Sequence, residues 1–134
     1  MADNMKLFMK KFLQFIFFVL FIGIFSSCDF GAKNILIKEI LSPNGENKIV
    51  IFQRDAGATT GFSIQVSVLK SNKKLKNSEK GNIFVIAGNK TDFESGKLFD
   101  ISWNDENTVE ITLLSESKIY KQETELKNLT FQYN

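Results

Sequence analysis

From residue 35 onward the apolar residues fall in short bursts separated by polar, turn-forming stretches, and their spacing is that of strands. Phe62, Ile64, Val66 and Val68 alternate with Ser63, Gln65 and Ser67, a period of two and not of 3.6. Lys48 to Arg54 instead holds a continuous apolar stretch, which predicts a central strand buried on both faces. Before it, Ile35 to Leu41 is β-rich without clean alternation and stops at Ser42-Pro43-Asn44-Gly45, a run of turn formers. Further strands are predicted at Ile83 to Ile86, Leu98 to Trp103, Thr108 to Leu114, Ile119 to Leu126 and Leu129 to Tyr133. Thr91 to Glu94 has capping-box spacing, but Ser95-Gly96 follows, which limits any helix there to one turn. Ser71 to Asn82 is polar and lysine-rich and reads as an exposed loop. The pattern predicts an all-β, single, mostly antiparallel domain of seven or eight strands, a two-layer sandwich or a curled sheet, after an N-terminal signal helix.

The first 27 residues follow a different rule. A short segment with Lys6, Lys10 and Lys11 precedes the apolar run Phe12 to Phe25, which Ser26-Ser27-Cys28 closes, the three-part layout of an export signal. As a helix, residues 12 to 25 span roughly 21 Å, short of the hydrocarbon core of about 30 Å; a start at Leu7 lengthens the helix enough to cross. Phe25-Ser26-Ser27-Cys28 resembles the lipobox of bacterial lipoproteins, whose Cys is diacylated and becomes the mature N-terminus; Phe25 stands where Leu is usual. The resemblance implies a signal peptide over 1–27, a lipidated N-terminus and short linker over 28–34, and a β-domain over 35–134. An uncleaved signal anchor is the alternative. Either places the domain in the cell envelope, tethered to a membrane and facing away from the cytoplasm.

Removing that leader changes the charge picture. The chain carries 17 Lys and Arg against 15 Asp and Glu, and the first 27 residues hold three Lys and one Asp. The remainder is therefore balanced at 14 against 14, and no basic stripe with interleaved aromatics marks a nucleic-acid partner. A single Cys and no His exclude an internal disulfide, thiolate or imidazole zinc sites and a His-dependent triad. No cofactor or metal is expected. The lysines at 73, 74, 76 and 80 are placed to touch anionic headgroups near an anchor, although a solvated loop is the plainer reading.

The stretch that concentrates chemistry is Arg54-Asp55-Ala56-Gly57-Ala58-Thr59-Thr60-Gly61-Phe62, between two strands. Its glycines permit left-handed turns, and its amides and the Thr59 and Thr60 hydroxyls offer a nest for an anion or carbonyl. It lacks the Gly-Lys-Ser/Thr ending of a P-loop. The plainer reading is a structural hairpin loop, with Arg54 paired to Asp55 or to a neighbouring strand. With Ser42-Pro43-Asn44-Gly45 upstream and Gly81 to Val85 and Trp103 downstream, the stretch resembles a family of small bacterial envelope proteins classed as a domain of unknown function. The resemblance covers roughly residues 40 to 134. Its motif runs Arg-Asp-Cys-Gly-Ala-Thr-Thr-Gly-Phe, and Ala56 here stands in place of the Cys, which removes any thiol role.

Other candidates read as structural. Trp103 is expected as a core anchor. Asp100, Asp105, Glu106 and Glu110 crowd a predicted turn and read as solvated. Gly61-Phe62-Ser63-Ile64-Gln65 lacks the final Gly, the helix and the His of a nucleophile elbow, leaving only a formal Ser-Lys pair. The sequence points to a membrane-tethered, non-catalytic envelope domain with an envelope protein as partner. The alternatives are a small-molecule or anion-binding module using the Gly57–Gly61 loop and a hydrolase of unrecognised type.

Overall fold

The computed structural model describes residues 2–24, 31–55, 57 and 61–134. The chain divides into an N-terminal unit and a folded unit that begins at Gly31. The N-terminal unit contains the helix α1 (Ala2–Ile24), on which Phe8, Phe12, Leu13 and Phe17 are all exposed. No helix among the described residues is long and apolar enough to cross a membrane.

The folded unit is all-β apart from one short helix. Its strands are β1 (Lys33–Leu41), β2 (Asn47–Asp55), β3 (Phe62–Lys70), β4 (Phe84–Ala87), β5 (Phe99–Trp103), β6 (Thr108–Leu113), β7 (Ile119–Gln122), β8 (Glu125–Leu126) and β9 (Leu129–Tyr133). The first sheet has the order β1-β2-β3-β4-β7 and is antiparallel throughout; the second runs β5-β6-β9-β8, with β6 and β9 parallel. Among the described residues nine strands stand where the sequence pattern gives seven or eight, because the run Ile119 to Leu126 serves both layers. β7 pairs with β4 in the first sheet, and β8 pairs with β9 in the second. Glu123 and Thr124 make the crossing, Glu123 donating its N–H to the Ile83 carbonyl and Thr124 accepting from Phe131 N. The short helix, α2 (Lys90–Glu94), is capped by Asn89, whose Oδ1 accepts from Asp92 N at 3.0 Å, so the cap lies two residues before the predicted Thr91.

One core joins the two sheets. Ile49, Ile51, Ile64, Val66 and Ile86 of the first meet Val109, Ile111, Leu129 and Phe131 of the second, all buried. Each such side chain contributes about 1.5–3 kcal/mol. Phe84 and Phe99 meet edge to face across the layers, ring centroids 5.1 Å apart. At the rim the Trp103 indole N–H donates to the Ile40 carbonyl at 3.1 Å, tying β5 to β1. The expected core-anchor role of Trp103 is what the structure shows.

The opposite face of the first sheet is buried as well. Lys48, Val50, Phe52 and Arg54 alternate with the core-facing residues of β2, and Val50 and Phe52 are 0 % exposed. The cover is the β3–β4 connection. Ser67 Oγ donates to the Lys80 carbonyl at 3.2 Å, and Gly81 N donates to Gln65 Oε1 at 2.7 Å. β4 pairs with β3 only as far as Val66, and the Asn82 side-chain amide takes over beyond it, accepting from Val68 N and donating to Val68 O. A Cβ on Gly81 would lie 2.9 Å from the Phe84 carbonyl oxygen and 3.0 Å from Gln65 Cβ, so only glycine lets the chain approach this closely. The lysine side chains of the connection are exposed as the sequence predicts, but its backbone is docked.

Tyr133 makes a comparable link. Its hydroxyl donates to the Glu123 carbonyl at 2.7 Å and its ring lies 5.8 Å from that of Phe84. Burial, and then the charge of Glu123, push the Tyr133 phenol up to about 12. The unfolded chain loses this proton at about pH 10, before the native state does, so native stability falls as pH rises from 10 to 12. The urea midpoint of the wild type should therefore drop more steeply over that range than that of Tyr133→Phe; parallel curves would contradict the assignment.

Candidate functional site

Asp55 and Phe62 are register partners, so residues 56–61 close the β2–β3 hairpin. Of the predicted loop residues, Ala56, Ala58, Thr59 and Thr60 lie outside the described residues, as does Cys28. Gly57 and Gly61 are described, with φ of 110° and 68°. A Cβ on either would meet nothing within 4 Å, so the demand for glycine here is one of backbone dihedral and not of space. Asp55 Oδ1 accepts from Gly57 N at 3.0 Å, a local turn that places a carboxylate at the start of the loop. The electrostatics at that point disfavour an incoming anion.

Arg54 belongs to the fold. The side chain projects from the back face of β2, is only 6 % exposed, and forms no salt bridge with Asp55. Nη1 donates to Asn34 Oδ1 at 3.0 Å and to the carbonyls of Asn77 and Glu79, each at 2.9 Å. Asn34 engages the same segment: its Nδ2 donates to the Lys76 and Glu79 carbonyls, and its backbone N–H donates to Asn77 Oδ1. A guanidinium is suited to this because it stays charged when buried and presents several donors in a fixed plane. Of the two partners predicted for Arg54, the neighbouring strand is present, through Asn34 of β1. The 76–79 backbone is the partner that the sequence reading missed. Its only forewarning was a cation at the end of a strand expected to be buried on both faces.

The remaining candidates stay apart from the loop. Asp105 Oδ1 accepts from Asn107 N at 2.8 Å, and this bond, followed by that from Thr108, holds its carboxyl below the usual range. Asp100 and Glu110 lie on the outer face of the second sheet. Ser63 sits within β3, accepting from Gln65 Nε2, and not on a strand-to-helix turn. Among the described residues no group of three or more acidic, Cys or His side chains is arranged to hold a metal. A groove of about 370 Å³ lies between β1, α2 and β5, lined by Ile37, Lys38, Phe93, Glu94, Phe99 and Asp100. It opens where a register shift at Ile37 puts Leu36 opposite Phe52 and Lys38 opposite Ile51. The broken alternation of residues 35 to 41 was its signature in the sequence.

The fold and this hairpin define a two-layer β-sandwich with a docked β3–β4 connection. The chain belongs to DUF5412, a family of unknown function, which it matches over residues 3–133. No curated protein and no solved structure matches it.

Replacing Arg54 separates the structural from the binding role. Arg54→Met leaves the Asn77 carbonyl and Asn34 Oδ1 short of a donor and should lower unfolding free energy by about 3 kcal/mol. Asp55→Asn, which keeps an acceptor for Gly57 N, should cost less than about 1 kcal/mol. Chemical denaturation checks both, and an Arg54→Met protein as stable as wild type would contradict the clamp.

Proposed function

We propose that this protein is a membrane-tethered envelope lipoprotein whose β-domain is a non-catalytic interaction module, anchored through Cys28 and facing away from the cytoplasm. The observation that carries the reading is the exposed apolar surface of α1, directly preceding Ser26-Ser27-Cys28. A helix that leaves Phe8, Phe12, Leu13 and Phe17 bare has no stable place in water, whereas an export signal needs such a surface. The family match begins at residue 3, so this segment is part of what the family shares and not an addition to it. Two acyl chains on Cys28 suffice for stable anchoring where one is marginal.

The non-catalytic half of the reading is supported by the use to which the loop's charged groups are put. Arg54 holds backbone carbonyls of the fold and Asp55 closes a local turn.

Cys28→Ala tests the anchor. In cells fed a labelled fatty acid, the wild-type protein should take up label and the variant none, and the variant should accumulate as the longer, unprocessed chain. Equal labelling of the two would remove the lipoprotein reading.

A further inference from the structure

We propose that the back face of the first sheet, formed by the docked 71–82 connection and the adjoining edge of β1, is a docking surface for an anionic lipid bilayer. The proposal rests on the tethered reading above and adds the orientation in which the domain sits on its membrane.

Three observations converge on that face. The first is charge. Residues 71–82 carry Lys73, Lys74, Lys76 and Lys80, all exposed, against the single acid Glu79. The chain after residue 27 is otherwise balanced, so this excess of three positive charges leaves a matching negative excess elsewhere. Glu39, which shares this face, is held by Lys48 at 2.8 Å, and Glu46 of the β1–β2 turn accepts from Ser71 N through its main-chain carbonyl. The second is position. Asn34 and Arg54 bond the backbone of residues 76–79, which fastens the lysine connection to the place where the chain enters the domain. Asn34 lies six positions after Cys28, a contour of about 20 Å at full extension. The third is apolar surface. Leu36 and Leu41 pair with Phe52 and Lys48 and so share the back face, and they are 47 % and 62 % exposed.

Lysines around exposed leucines are the chemistry of a headgroup surface. The ammonium groups meet phosphate while the leucines reach the acyl boundary. Each lysine held near an anionic leaflet is worth about 1 kcal/mol, and the attraction fades over a Debye length of about 8 Å. A loop that flexed freely would lose part of that gain to ordering. Here the backbone is already fixed by its bonds to Arg54, Asn34, Gln65 and Ser67, so its lysines are presented without further ordering of the main chain.

The test uses the full chain, reconstituted in vesicles of phosphatidylcholine alone and of phosphatidylcholine with phosphatidylglycerol. The lysines are acylated with a membrane-impermeant reagent and the products mapped by mass spectrometry. Lys73, Lys74, Lys76 and Lys80 should react about fivefold more slowly on the anionic vesicles, and high salt should restore them. Lys97 and Lys127, which adjoin strands of the second sheet, should react equally on both. Equal reactivity of all six lysines on both vesicles, with the chain floating on both, would overturn the docking face and leave the tether standing. A chain that floats with neither would overturn both. Protection in native membranes but not on anionic vesicles would also overturn the proposal, by showing that a protein covers this face.

Discussion

The structure depends on one buried cation. Arg54 lies beneath the β3–β4 connection, in a salt bridge with no carboxylate of the described residues, and the cost of burying it is offset by three oxygens, one from Asn34 and two from the backbone of residues 77 and 79. Those bonds hold twelve residues of polar chain against a sheet face that already contains Val50 and Phe52. Without the connection both side chains would meet water; without the side chains the connection would have little to lie on. Arg54 and the apolar run of β2 are thus two halves of one arrangement, with Asn34 as the second clamp, sharing the Glu79 carbonyl and adding that of Lys76.

That arrangement gives the first sheet two unlike faces. One meets the second sheet through a dry aromatic and aliphatic core, closed at the rim by Trp103. The other meets a ribbon of backbone whose side chains point outward as lysines. A β-sandwich normally exposes the outer faces of both its sheets; here one is covered, and what the solvent sees is the charge of the cover. The proposed functional reading starts from this inversion: Arg54 points inward, to the fold, and the connection that it fixes presents lysines to solvent.

Much of this was legible in the chain. Strict alternation from Phe62 to Val68 and the unbroken apolar run of β2 identify two strands and the core-facing side of the first, because side-chain direction in a strand depends only on parity; that the polar side of β3, Gln65 and Ser67, is buried as well was not legible. The division of Ile119 to Leu126 between two sheets was not legible, since strand character is the same whichever partner is found. The hold of Arg54 on the 76–79 backbone was missed for a related reason. A cation at the edge of a glycine-containing loop looks like a ligand-binding group, and only the long-range placement of residues 76–79, more than twenty positions away, shows its true acceptors. The lysine connection read as solvated because its side chains are; nothing in a list of side chains reveals that the backbone beneath them is held. The hydroxyls of Thr59 and Thr60 lie outside the described residues and carry none of the account.

The claim that the 71–82 connection is a fixed part of the fold is tested most directly by native-state amide hydrogen exchange. Val68 N–H is bonded to Asn82, Gly81 N–H to Gln65 and Ile83 N–H to Val66. If the connection is docked, these amides open only with the sheet itself and should be protected to within about tenfold of the amides of β2. Exchange of Gly81 and Val68 at the rate of a free loop, with β2 still protected, would show that the connection detaches independently and would contradict the account.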